Sequence, residues 1–299
     1  MEHLMNINAY KVELETRARV IALHCSGGGA AQWANLTCAL GDSYKVLTPE
    51  QYGSEATGPW TGEHVFTIAD EAASTIDLID RGEEKVHLVG HSYGGGVALH
   101  AALARPHKIA SMALYEPSAF HLLRQIGDVG LQAIIEIARV AQRFSDGIAT
   151  GDYRSAVSQF VDYWNGPGTW QAMRPSVQKN LIRWAPKGPL DFRALTEDTT
   201  PANAYARLSF PILIMRGQYA PLPTRVIAQI LPNLLPSSRS VVVEGAGHMG
   251  PLTHASAVSA WLVEHIRAVD SAEASPVRGA PSQLAKRASI CGAYQLRSC

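Results

Sequence analysis

The stretch Lys85-Val86-His87-Leu88-Val89-Gly90-His91-Ser92-Tyr93-Gly94-Gly95 decides the fold. Residues 85–89 form a compact apolar run of strand length. Glycines two places before and two places after Ser92 let the chain turn so sharply that a hydroxyl projects from the corner. The residues beyond, Val97-Ala98-Leu99-His100-Ala101-Ala102-Leu103-Ala104, are small and helix-forming, so a helix can lie close to a sheet. The segment reads strand, tight turn, helix. A helix starting there aims its free N–H groups at the serine, where negative charge is stabilised. A bare G-x-S-x-G pattern carries little information. Set between a strand and a helix, it is a nucleophile elbow.

Outward from this point, short apolar runs alternate with amphipathic stretches, the pattern of parallel strands joined by helices. Strands are expected at residues 19–24, 45–48, 85–89, 109–115, 211–216 and 240–244. Several are apolar without alternation, as strands covered on both faces should be. Ile68, Ala72, Ile76 and Ile79 recur at helical spacing, as do Val258, Leu262 and Ile266. Between residues 120 and 205 the alternation breaks and no strand is expected. Leu131, Ile134, Ile135 and Ala138 form one helical stripe there, and Val157, Phe160, Val161 and Trp164 another. The expected organisation is a mainly parallel α/β core (residues 1–119 and 206–269), an all-helical cap (120–205) and a flexible C-terminal tail (270–299). The helical segment either packs on itself or also roofs the site as a lid with an apolar wall, and the two roles are compatible. The tail, with its Lys286-Arg287 pair, reads as solvated and without catalytic role.

With 299 residues, 46% of them hydrophobic, the chain suits one large domain or a domain carrying an inserted subdomain. Lys+Arg and Asp+Glu both number 26, so neither a nucleic-acid surface nor a polybasic membrane patch is expected. No uninterrupted run of about 18 apolar residues occurs, so no membrane span is expected. The start, Met1-Glu2-His3-Leu4-Met5, lacks the basic-then-apolar pattern of a secretory signal, and a cytoplasmic location is expected. Cys25, Cys38, Cys291 and Cys299 form no C-x-x-C pair and no zinc spacing, and read as free thiols. Cys25 falls beside the expected site.

A serine hydroxyl needs a base within hydrogen-bond reach, and the base needs an orienting acid. In a sheet of this type the base comes late in the chain. His248 fits, in Glu244-Gly245-Ala246-Gly247-His248-Met249-Gly250-Pro251, directly after the last expected strand. His91 adjoins Ser92, but the elbow aims the two side chains apart. An oxyanion hole needs two N–H donors. One is expected from Tyr93, the residue after the serine. The other is expected from Ser26, in the glycine-rich loop His24-Cys25-Ser26-Gly27-Gly28-Gly29. No Lys-Ser/Thr follows that loop and no G-x-G-x-x-G is present, so nucleotides are not expected.

The His24 loop, the Ser92 elbow and the His248 loop together resemble the α/β-hydrolase superfamily, in particular its lid-bearing, serine-esterase-like members. The segments Leu114-Tyr115-Glu116-Pro117 and Gly247-His248-Met249-Gly250-Pro251-Leu252-Thr253-His254 are similar to stretches of that superfamily. The resemblance spans about residues 10–268. It implies a mainly parallel sheet with helices on both sides, a helical cap after the sixth strand, and acyl-enzyme chemistry without metal or organic cofactor.

One departure stands out. The superfamily usually carries its acid in a Gly-x-x-Asp turn, and here Gly217-Gln218-Tyr219-Ala220-Pro221 puts alanine at that place. Some relatives, haloalkane dehalogenases among them, carry the acid at the end of the preceding strand, where this chain has Glu116. The resemblance therefore implies a triad of Ser92, His248 and Glu116. The other role open to Glu116 is that of a strand-end residue capping local backbone. Dehalogenation itself is not expected, because it needs a carboxylate nucleophile where this chain has Ser92.

The expected activity is hydrolysis of a small apolar carboxylic ester or lactone through an acyl-enzyme. A second reading is carbon–carbon bond hydrolysis of dioxo acids, with the substrate carboxylate held by Arg124, Arg183 or Arg216. A third is a hydrolase fold kept as a non-catalytic ligand receptor.

Overall fold

The computed structural model describes residues 18–274, and the N-terminal segment, Lys286, Arg287, Cys291 and Cys299 lie outside the described residues. Six strands form where the apolar runs are: β1 (Ala18–Leu23), β2 (Tyr44–Leu47), β3 (Val86–His91), β4 (Ile109–Tyr115), β5 (Ile212–Gly217) and β6 (Ser238–Val243). Every neighbouring pair is parallel, in the order β2-β1-β3-β4-β5-β6. The helices are α1 (Ala34–Leu40), α2 (Ile68–Asp80), α3 (Tyr93–Ala104), α4 (Gly127–Ala149), α5 (Tyr153–Asn165), α6 (Thr169–Ala172), α7 (Pro175–Trp184), α8 (Gly188–Thr196), α9 (Leu222–Leu234), α10 (Gly250–Thr253) and α11 (Ala255–Ala274). Among the described residues, no helix is long and apolar enough to cross a membrane.

The two-residue period of a strand divides the core. Ile21, Leu23, Leu88, Met112 and Ile214 point to one face, packed by Ile68 and Ile79 of α2, Val97 of α3 and Leu231 of α9. Val20, Ala22, Val89, Ala113 and Met215 point to the other, packed by Leu36 and Leu40 of α1 and Val258, Leu262 and Ile266 of α11. Both faces of the central strands are covered, which is why β3 and β4 read as continuous apolar runs, whereas the edge strands β2 and β6 are only partly buried. Helix α2 begins on a capping box, with the Thr67 hydroxyl oxygen accepting from the Asp70 N–H and the Asp70 carboxylate accepting from the Thr67 N–H.

Helices α4 to α8 lie between β4 and β5. Four described strands precede them, where the resemblance implied six. Of the stripe expected from Leu131, Ile134, Ile135 and Ala138, Ile134 packs half-buried against the core and the other three are exposed. Leu131 and Ile135 are 55% and 42% exposed, whereas Ala133, Ile137, Val140 and Phe144 are buried. Both faces of the helix carry apolar residues at helical spacing. The inward one is the stripe that runs on to Phe144, whose ring packs on Phe160, Trp184 and Phe192. The other stripe gives way to Gln142 beyond Ala138.

The expected boundary between core and tail also moves. Helix α11 continues through residue 270 to Ala274. Asp270 anchors it, accepting from the Tyr44 hydroxyl at 2.6 Å and lying 3.0 Å from His87 Nε2. That tie to β2 and β3 is invisible in a composition-based boundary.

Candidate active site

The strand order reverses direction at β1, which pairs with β2 on one side and β3 on the other. Loops leaving β1 and β3 therefore diverge and open a crevice at the carboxyl ends of the strands. Ser26 follows β1 and Ser92 follows β3.

The elbow depends on two close approaches. A Cβ on Gly90 would stand 2.6 Å from the Gly94 carbonyl oxygen, and one on Gly94 would stand 2.5 Å from those of Leu23 and His24. Only glycine fits either place. Ser92 itself has φ 54°, in the left-handed region. Such a backbone costs about 1–3 kcal/mol and persists only where the surroundings over-determine it. Here the Ser92 N–H donates to the Tyr115 carbonyl at 3.0 Å, and the Ser92 carbonyl accepts from Gly95 at 2.9 Å and Ser118 at 3.0 Å.

Ser92, His248 and Glu116 are brought together. Ser92 Oγ lies 2.9 Å from His248 Nε2, and His248 Nδ1 lies 2.7 Å from Glu116 Oε2. All three are buried. Glu116 also has a left-handed backbone, φ 43°, at the end of β4. Its Oε1 accepts from the Gly217 N–H at 2.9 Å and its Oε2 from the Thr224 hydroxyl at 2.7 Å. A carboxylate only accepts, so the proton of His248 sits on Nδ1 and the Nε2 lone pair faces the serine hydroxyl. Ala220 is buried and offers only a methyl group.

The His248 loop is held by groups that the motifs did not point to. His91 Nε2 donates to the His248 carbonyl at 2.9 Å, and the Tyr115 hydroxyl donates to the Gly247 carbonyl at 2.7 Å. Burial and the neighbouring His248 hold the His91 imidazole well below its usual range, so it stays neutral. Its ring thus bonds the main chain of His248 instead of the serine. The indole of Trp164 covers the His248 ring, with centroids 4.2 Å apart and planes tilted by 32°.

Tyr93 is the first residue of α3, so its amide has no intrahelical acceptor. Ser26 sits in a turn closed by the Gly28 N–H on the Cys25 carbonyl at 2.9 Å, with Gly27 at φ 67°. Such a turn leaves the amide of its second residue outside the closing bond. The Ser26 hydroxyl donates to Asp191 Oδ2 at 2.8 Å, and the Tyr93 hydroxyl to Glu71 Oε2 at 2.9 Å.

Ser26, Ser92 and His248 open on a cavity of about 510 Å³, walled by Phe160, Trp164, Trp184, Phe192 and Leu195 from the helices between β4 and β5. Among the described residues lining it there is no lysine or arginine. Arg124 donates to the Thr196 carbonyl, Arg183 pairs with Glu55, and Arg216 donates to the Gly217 carbonyl, all three off the cavity wall. Cys25 does line it, but burial pushes its thiol up to about 12, so it is no nucleophile at neutral pH. Cys25 and Cys38 are both free thiols.

The model of the alpha/beta hydrolase family matches residues 20–261, most of the chain. The chain belongs to the alpha/beta hydrolase family. Within that family it is 27% identical over 252 residues to a pimeloyl-[acyl-carrier protein] methyl ester esterase from Aeromonas hydrophila subsp. hydrophila, covering 79% of this chain and 90% of that one. An alpha/beta hydrolase from Sphaerobacter thermophilus shares its fold with a TM-score of 0.64 at 23% identity, over 83% of this chain and 92% of that one. The enol-lactonase from Burkholderia xenovorans superposes with a TM-score of 0.65 at 16% identity, over 84% of this chain and 92% of that one.

Proposed function

We propose that this hydrolase cleaves a neutral, apolar carboxylic ester or lactone through an acyl-enzyme on Ser92. The observation that carries the reading is the unbroken relay from Ser92 Oγ to His248 Nε2 and from His248 Nδ1 to Glu116. His248 takes the hydroxyl proton as Ser92 attacks the carbonyl carbon. The amides of Ser26 and Tyr93 hold the oxyanion, and Glu116 stabilises the imidazolium. His248 then hands the proton to the leaving alkoxide. A water molecule, deprotonated by His248, attacks the acyl carbon; the bond to Ser92 Oγ breaks as His248 returns the proton to that oxygen, releasing the acid and the free serine. The helices between β4 and β5 act as a cap that shapes the acyl pocket. An esterase among the relatives, acting by its name on a methyl ester, supports the ester class.

Carbon–carbon hydrolysis of a dioxo acid is less well supported, because the described lining residues include no lysine or arginine to meet a substrate carboxylate. An anion buried in an apolar pocket without a partner is strongly disfavoured. Two results are expected. p-Nitrophenyl butyrate gives a burst of about one p-nitrophenol per chain wherever deacylation is the slower step. The p-nitrophenyl monoester of glutaric acid, which adds a terminal carboxylate, is turned over with kcat/KM at least about tenfold lower. Equal or better turnover of the acidic ester contradicts the neutral-substrate assignment.

A further inference from the structure

Against the cavity, with Asp191 on its wall, lies a group of ionisable side chains that the relay does not use. Lys187, 4% exposed, places Nζ 2.8 Å from Glu71 Oε2, against the Asp191 carboxylate, and 3.3 Å from the Tyr93 hydroxyl. Its ammonium also lies 4.3 Å from the centre of the Phe66 ring. Burial works against the Lys187 charge, but Asp191 and Glu71 outweigh it and hold the ammonium above its usual range. Glu71 Oε1 accepts from the Tyr52 N–H at 3.0 Å, so the cluster is also bonded to main chain.

Such a cluster is not explained by stability. Buried ion groups can be replaced by packed apolar residues with no loss, while removing one member is costly. Its connections are more informative. Asp191 accepts the hydroxyl of Ser26, and Glu71 accepts the hydroxyl of Tyr93. These are the two residues whose amides form the oxyanion hole in the reading above. One follows β1 and the other begins α3, and Lys187 and Asp191 come from the helical segment between β4 and β5.

We propose that the Lys187–Asp191–Glu71 cluster is a positioning device for the oxyanion hole, tying Ser26 and Tyr93 to one buried frame and making the hole depend on the seating of residues 187–191. The inference rests on the hydrolase reading. Asp191 and Lys187 act through Ser26 and Tyr93, and their hydrogen bonds go to those residues, to Glu71 and to each other, not to Ser92 or His248.

Ser26→Ala and Tyr93→Phe test it, because each deletes one tethering hydroxyl and leaves both amides in place. Loss of a whole oxyanion donor costs about 10²–10³ in kcat, so a loosened donor is expected to cost about tenfold. With p-nitrophenyl butyrate each variant lowers kcat by about that factor, KM stays within about twofold, and affinity for a boronic acid transition-state analogue falls in step with kcat. Asp191→Ala loses about as much or more, and adding Ser26→Ala to it changes nothing further, since the hydroxyl acts only through Asp191. Should Asp191→Ala fail to fold, the two hydroxyl deletions carry the test.

Parental kcat in both deletions, or a loss in only one of them, overturns the shared frame. A KM rise with unchanged kcat does the same. A parent chain without ester turnover and without labelling of Ser92 by a fluorophosphonate removes the hydrolase reading instead, and the proposal falls with it.

Discussion

Ser92→Ala lowers kcat for p-nitrophenyl butyrate by about 10⁵- to 10⁶-fold, the scale seen when a triad nucleophile is deleted. The change removes one oxygen from a side chain that is already buried, so the fold is preserved. The main-chain bonds that hold the elbow, from Tyr115, Gly95 and Ser118, do not involve that oxygen. Ser118 Oγ lies 3.2 Å from Ser92 Oγ and loses a partner, a small effect that a circular dichroism melt will bound. Residual activity above about one part in a hundred, with the melt unchanged, assigns the chemistry to another residue.

Glu116→Gln is the second large effect, and it separates the two roles open to Glu116. Three donors converge on this carboxylate: the Gly217 N–H, the Thr224 hydroxyl and His248 Nδ1. Glutamine has the same shape but one oxygen and one NH2 group. The Gly217 N–H cannot turn away, so the amide oxygen must face it. The NH2 group then faces Thr224 and His248. Thr224 can rotate to accept. His248 can accept only by moving its proton to Nε2, and that nitrogen can then no longer take the serine proton. The expected loss in kcat is about 10³–10⁴-fold, with KM little changed. Turnover within tenfold of the parent removes Glu116 from the relay and leaves it as a cap on Gly217 and Thr224.

The central strands are legible because burial on both faces leaves continuous apolar runs. Ile109–Tyr115 is buried at every position. The elbow was legible because its glycines answer to backbone contacts under 3 Å, a constraint that leaves no other residue type. The packed face of α4 was not, since two apolar stripes compete on one helix and only tertiary contacts choose between them. Glu116 followed from the alanine at 220 and a resemblance, but its left-handed backbone and its bond from Thr224 leave no local mark in the chain. The elbow turns the His91 ring away from the serine, and that same direction carries it under the His248 main chain, a contact with no mark in the sequence. The Lys187 cluster joins residues 71, 93, 187 and 191, and no spacing rule links positions that far apart.

In the proposed mechanism Glu116 and His248 together activate the Ser92 hydroxyl. This activation is tested most directly by treating the intact chain with a fluorophosphonate at neutral pH and mapping the modified peptide by mass spectrometry. One adduct is expected, on Ser92, formed at a rate that Glu116→Gln depresses by about the same factor as kcat. An unmodified chain, or an adduct on any other residue, contradicts the mechanism.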